Sequence, residues 1–127
     1  MLIAACVFAG LAALLHVYIF VLESVRWEHP TTRRAFGTTE ETAAITKPLA
    51  YNQGFYNLFL AVGLFVGIVL MPSREDAAVA LLAFGMGSMV AAATVLITSD
   101  SSKARAAVIQ GLFPALGLLC LLVWSVA

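Results

Sequence analysis

Four stretches of the chain contain no Asp, Glu, Lys or Arg: residues 1–22, 48–73, 77–99 and 106–127, which are 22, 26, 23 and 22 residues long. About 20 apolar residues in a helix cross the hydrocarbon core of a bilayer, so each stretch is long enough to span one. Lipid offers the backbone no hydrogen-bond partners, and an open strand would leave its N–H and C=O groups unpaired. The expected fold is therefore all-α, an integral membrane bundle of four transmembrane helices near residues 2–24, 49–71, 77–98 and 105–126, in a single domain over residues 1–127. Charged residues make up only 11% of the chain, where a soluble domain carries about a quarter. Basic and acidic residues balance at seven each, and that balance argues against a nucleic-acid partner. The first stretch lacks a positively charged leader and is long for an export signal, so it reads as a helix. Cys6 and Cys120 lie within apolar stretches and read as small buried side chains.

Basic residues set the expected orientation. Arg26, Arg33, Arg34, Lys47, Lys103 and Arg105 fall on one side of the predicted topology, and only Arg74 falls on the other. Six against one predicts that the first and third loops are cytoplasmic and that both termini are outside, as in a bacterial inner membrane. The first loop is the only long one. Pro30, Gly37 and Pro48 punctuate it, and Thr38 or Thr39 can cap a short interfacial helix through about Lys47.

Polar residues concentrate in one half of the predicted spans. Glu23 lies near the end of the first span, and His16 lies seven residues, roughly 10 Å, deeper. Seven residues is close to two turns, which predicts one shared face. The second span opens with Asn52, Gln53 and, one turn deeper, Asn57; the fourth carries Gln110 at a depth like that of Gln53. Pro114 removes the bond to the Gln110 carbonyl and predicts a kink there. Trp27, Tyr18, Tyr51 and Tyr56 lie nearby, although interfacial anchoring accounts equally well for Tyr51. Asn, Gln and His also serve as interhelical glue worth about 1 kcal/mol per bond or less. Convergence from three helices favours a wet or ligand-filled pocket over glue alone.

Two further patterns concern packing. Ala83, Gly87 and Ala91 recur every four residues in the third span, as Gly63 and Gly67 do in the second. Such stripes permit close backbone approach, within the bundle or between copies in a homo-oligomer. The openings "NQGFYNLFLAVGL" and "IQGLFPALGLL" of the second and fourth spans echo one another. A parallel repeat of two hairpins and chance similarity between greasy helices both explain this echo.

His16, "VLE" (21–23), Trp27, Pro30, "FG" (36–37), "NQGFYN" (52–57) and "QGLFPALG" (110–117) together resemble a family of small bacterial four-helix membrane proteins catalogued as a domain of unknown function. The resemblance covers nearly the whole chain, with "NQGFYN" its most specific part. It implies four helices and this set of polar motifs, but no activity.

These residues support an expectation of a polar pocket near the cytoplasmic side that binds a small lipid-like or amphipathic molecule. For a reaction in that pocket, His16 and Glu23 are the acid/base candidates, because only they titrate within the group. Asn52, Gln53, Asn57, Gln110, Tyr56 and Trp27 are the candidate ligand contacts. No cofactor motif is visible, and one His with one Glu makes a poor metal site. Membrane lipids are the expected surroundings. Two competing readings are a proton-coupled transporter acting as an oligomer and a structural or assembly protein without a ligand.

Overall fold

A computed structural model describes every residue, Met1–Ala127, and contains helices without strands. Helix α1 (Leu2–Phe20) runs into a π-turn at Val21–Val25, followed by a short α2 (Pro30–Phe36). The long α3 (Glu40–Leu70), α4 (Glu75–Ser99) and α5 (Ala104–Ser125) complete the chain. Four helical segments are long and apolar enough to cross a membrane. They form a ring in the order α1, α3, α4, α5, in which each helix packs on two antiparallel neighbours; α1 and α4 also touch across the diagonal.

The core sets a stripe of small side chains on α1 against larger ones on α3 and α4. Ala5, Ala9, Ala12, Ala13 and His16 make the buried stripe of α1, meeting Ala61 and Leu64 of α3 and Leu82, Met86 and Met89 of α4. Many other large apolar residues point outward: Ile3 is 82% exposed, Val69 76% and Phe84 74%. A protein in water would not leave such a surface bare. In a bilayer, lipid tails are as apolar as leucine, so close van der Waals packing of small residues holds the helices together.

Two features of the first loop differ from expectation. The predicted interfacial helix does start at Thr39, whose hydroxyl oxygen accepts from the Thr42 N–H at 3.1 Å. It does not stop near Lys47, however, but continues through Pro48 as the first turns of α3. Proline costs a helix its bond to the carbonyl four residues back, and here Pro48 and Ala44 are both on the exposed face of α3. At 31 residues, α3 is about 46 Å long, so it extends well beyond a hydrocarbon core of about 30 Å. The second difference is α2 itself. Pro30 and Gly37 act as its two ends: Pro30 opens the helix, and Gly37, at φ 67°, closes it in the left-handed conformation. Proline at the first position and glycine just past the last is the ordinary asymmetry of a helix. The Thr38 N–H bonds back to the Arg33 carbonyl at 2.9 Å, completing the Schellman closure.

Lys103 ties this segment to the bundle. Its Nζ donates to the Phe36 carbonyl at 2.7 Å, bridging 67 residues of sequence. Just before it, Asp100 accepts from the Ser102 hydroxyl and N–H at the start of the turn into α5. Those bonds hold the Asp100 carboxyl below its ordinary range.

Glycines reveal where backbones come closest. A Cβ on Gly54 would collide with Ser24 Oγ and lie 3.0 Å from the Ser24 backbone nitrogen. Gly117 fits against Met86 and Phe8, Gly111 against Ala93, and Gly67 against Leu82. The glycines of both Gln-Gly pairs thus meet the preceding helix of their own hairpin, Gly54 on the α1 side and Gly111 on α4. Gly63 and Gly87 meet nothing within 4 Å, so these two members of the small-residue stripes do not pack within the chain. Substituting Gly54 by alanine should therefore destabilise the bundle by about 1–3 kcal/mol through overpacking. Gly63→Ala and Gly87→Ala should be neutral or stabilising by up to about 1 kcal/mol, the helix-propensity gain. Thermal unfolding in one detergent distinguishes these outcomes; an unperturbed Gly54→Ala protein would contradict the close approach.

Candidate functional site

The π-turn prepares the site. Its i→i+5 bond, Arg26 N–H to the Val21 carbonyl at 2.9 Å, widens the last turn of the first span at Glu23 and Ser24. Such turns interrupt α-helices mostly as single insertions and recur at functional positions. Here the widened turn lies against Gly54, and both of its polar side chains reach α3. Ser24 Oγ donates to the Tyr51 carbonyl at 2.8 Å, and Asn57 Nδ2 donates to Glu23 Oε2 at 2.7 Å. Asn57 Nδ2 also approaches the Gln53 carbonyl of its own helix, at 3.3 Å. Nearby, Phe20 meets Phe55 edge-on, with ring centroids 5.1 Å apart. The "NQGFYN" motif is thereby accounted for in part: Gly54 admits the turn and Asn57 receives its carboxylate.

Beyond Glu23 the chain curves around a hollow of about 260 Å³. Residues Glu23 to His29 line one side of it, and Lys47 and Tyr51 of α3 line the other. Trp27 is fixed in orientation, since its indole N–H donates to the Ala43 carbonyl at 3.1 Å and to Thr46 Oγ1 at 3.2 Å. Its ring also meets Phe36 edge-on at 5.0 Å. Lys47 pairs with Glu28 across the outer part of the hollow. Both partners are well exposed, so the pair contributes little stability. Glu23 pairs with Asn57 rather than with Arg26, and its Oε1 has no hydrogen-bond partner in the chain.

The candidate residues do not form one cluster. Glu23, Asn57 and Trp27 lie at or beside the hollow. His16 is buried at 3% exposure in the alanine stripe of α1, and its Nδ1 lies 2.9 Å from the Ala12 carbonyl. A carbonyl only accepts, so that nitrogen carries the proton and leaves Nε2 without a partner in the chain. No bond links His16 to Glu23. Asn52, Gln53 and Tyr56 are exposed, and Gln110 is half-buried, its amide making no hydrogen bond within the chain. The Glu23–Asn57 bond puts Asn57 level with Glu23, one to two turns from His16. Sequence reasoning missed Ser24, Lys47 and Glu28. The glycine of "NQGFYN" was the available signal for Ser24, because a backbone that needs glycine needs a close partner. A second hollow, about 280 Å³, is an open apolar furrow between α4 and α5 lined by Val90, Ala93, Ile97 and Val108 among others; it carries no titratable group.

Hydrogen bonding between Glu23 and Asn57 is testable by a double-mutant cycle. Glu23→Ala and Asn57→Ala should show a coupling energy of about 0.5–2 kcal/mol, the range for polar contacts between membrane helices. Additive effects on unfolding free energy would mean that the pair does not form.

A family model described as "Protein of unknown function (DUF1304)" matches residues 10–122, which includes the π-turn, α2 and every polar residue discussed above. The chain belongs to that family. It matches no curated protein and no solved structure.

Proposed function

We propose that this member of the DUF1304 family binds a small amphipathic molecule in the hollow beside Glu23. One observation carries the reading: a carboxylate at the end of a spanning helix, with one oxygen unbonded in the chain, lines a hollow together with Trp27, whose indole is fixed, and Tyr51. Ionisable groups in membrane segments are costly and commonly mark function. Asn57 offsets only part of that cost. In this reading Glu23 anchors the ligand and is the acid/base group if the ligand is transformed, while His16 is held apart in the core.

Coupled transport is less well supported. Towards the opposite end the interior consists of Ala5, Ala9, Leu64, Leu82 and Met86, which offers no polar route for a proton or a polar solute. Mass spectrometry of protein purified in mild detergent should detect an amphiphile with the parent chain. Glu23→Gln and Tyr51→Ala should lose it while the thermal midpoint stays within a few degrees of the parent. Variants that unfold with occupancy unchanged, or a parent that carries no amphiphile, would overturn the reading.

We further propose that the α2 end faces the cytoplasm of a bacterial cell, with both termini outside. Six of the seven basic residues lie at that end. Arg34 is exposed there, and Arg34→Cys, in a background with Cys6 and Cys120 replaced by alanine, tests it in intact cells. An impermeant thiol reagent should label this position only after permeabilisation; labelling from outside would reverse the orientation.

A further inference from the structure

We propose that the ligand of the Glu23 hollow carries an ammonium group, held by the Glu23 carboxylate and the faces of Tyr51 and Trp27. This inference rests on the binding reading above and adds the chemical class. Charge within the hollow is segregated. At the inner end, Glu23 is the one ionisable side chain, and its one hydrogen-bond partner is the uncharged amide of Asn57, bonded to Oε2. Towards the outer end Lys47 is matched by Glu28, which leaves Arg26 and His29 at the exposed rim. A ligand seated against Glu23 therefore meets a carboxyl group that has no countercharge from the chain.

An ammonium satisfies that end in two ways. It donates hydrogen bonds to the open Oε1, replacing water lost on binding, and it supplies the opposite charge that a carboxylate at this depth otherwise lacks. Aromatic rings beside a carboxylate add attraction for a cation through their negative faces. Trp27 suits this role because its indole N–H is already committed to Ala43 and Thr46, so the ring is a preformed wall rather than a hydrogen-bond donor to the ligand. A carboxylate or phosphate seated at the same point would face Glu23 and be repelled. Val25 also lines the hollow and is 68% exposed, so an apolar chain attached to the ammonium can leave along a lipid-facing surface.

The ammonium could be that of a simple amine amphiphile or of an aminophospholipid headgroup, whose phosphate would then lie towards Arg26. Titration of the purified protein in maltoside micelles with decylamine, decanol, decanoate and lysophosphatidylethanolamine, followed by Trp fluorescence and calorimetry, separates the cases. Decylamine or lysophosphatidylethanolamine should bind at least about tenfold more tightly than decanol and decanoate. Glu23→Gln, which keeps an acceptor for Asn57 but removes the charge, should abolish that preference. Arg26→Gln should weaken the lysophospholipid alone if a phosphate is read, and neither amine probe if it is not. Equal or tighter binding of decanol or decanoate would overturn the ammonium assignment while leaving an amphiphile site intact. Saturable binding of none of the four probes would overturn both.

Discussion

The contact between α3 and the π-turn at Gly54 governs the rest of the molecule. There, two backbones approach so closely that a single methyl group on α3 would collide with Ser24 Oγ and crowd its backbone nitrogen. Close approach brings the Ser24 hydroxyl onto the Tyr51 carbonyl and the Glu23 carboxylate onto Asn57. Without it, both polar groups would face lipid, where a missing partner costs several kcal/mol. The turn, the glycine and the amide are therefore one device. It admits a carboxylate into the bundle margin and holds it in a defined direction.

Away from that contact, packing follows the membrane solvent. Alanine fills the inner face of α1 against Leu64, Leu82, Met86 and Met89, glycine marks the closest crossings, and many other large apolar residues cover the outside. Small residues let antiparallel helices settle against each other where burial of apolar area offers no drive. The same rule explains the isolated His16. Its neighbours in the α1 stripe are alanines, and its Nδ1 bonds to its own helix through the Ala12 carbonyl. That bond makes it self-sufficient on one side without drawing in another helix.

At the α2 end the structure changes character. The first eight residues of α3, the capped α2 and the Lys103–Phe36 bond build a small polar vestibule over the bundle. Its bonds join segments distant in sequence, and of its two ion pairs Lys47–Glu28 is exposed on both sides and Arg33–Glu40 on the glutamate side. Stability there comes from helix closure and from Trp27 packing on Phe36, with the surface charges contributing little. A hollow lined by this vestibule and by Glu23 is reached without opening the spanning helices.

Much of this was legible in the amino-acid sequence. Four charge-free stretches dictate four helices, because lipid leaves the backbone no other way to pair its hydrogen bonds. A cap at Thr38 or Thr39 was also readable, since it rests on local chemistry, and Glu23 and Asn57 stood out as polar positions, but not as partners of one another. Tertiary structure alone decided three things. Pro48 lies on an exposed face, so it did not end a helix; sequence reports a missing N–H but not which side of the helix it faces. Pro30 and Gly37 bound a helix rather than a loop, because either residue fits both and the Lys103 bond to Phe36 depends on a residue 67 positions away. His16 and Glu23 went to different surroundings: His16 bonds to its own helix within the alanine stripe, whereas Glu23 lies in the π-turn and is bonded by Asn57 of α3, which the spacing of seven does not report. Periodicity describes a regular helix, and the site was built where the helix is not regular.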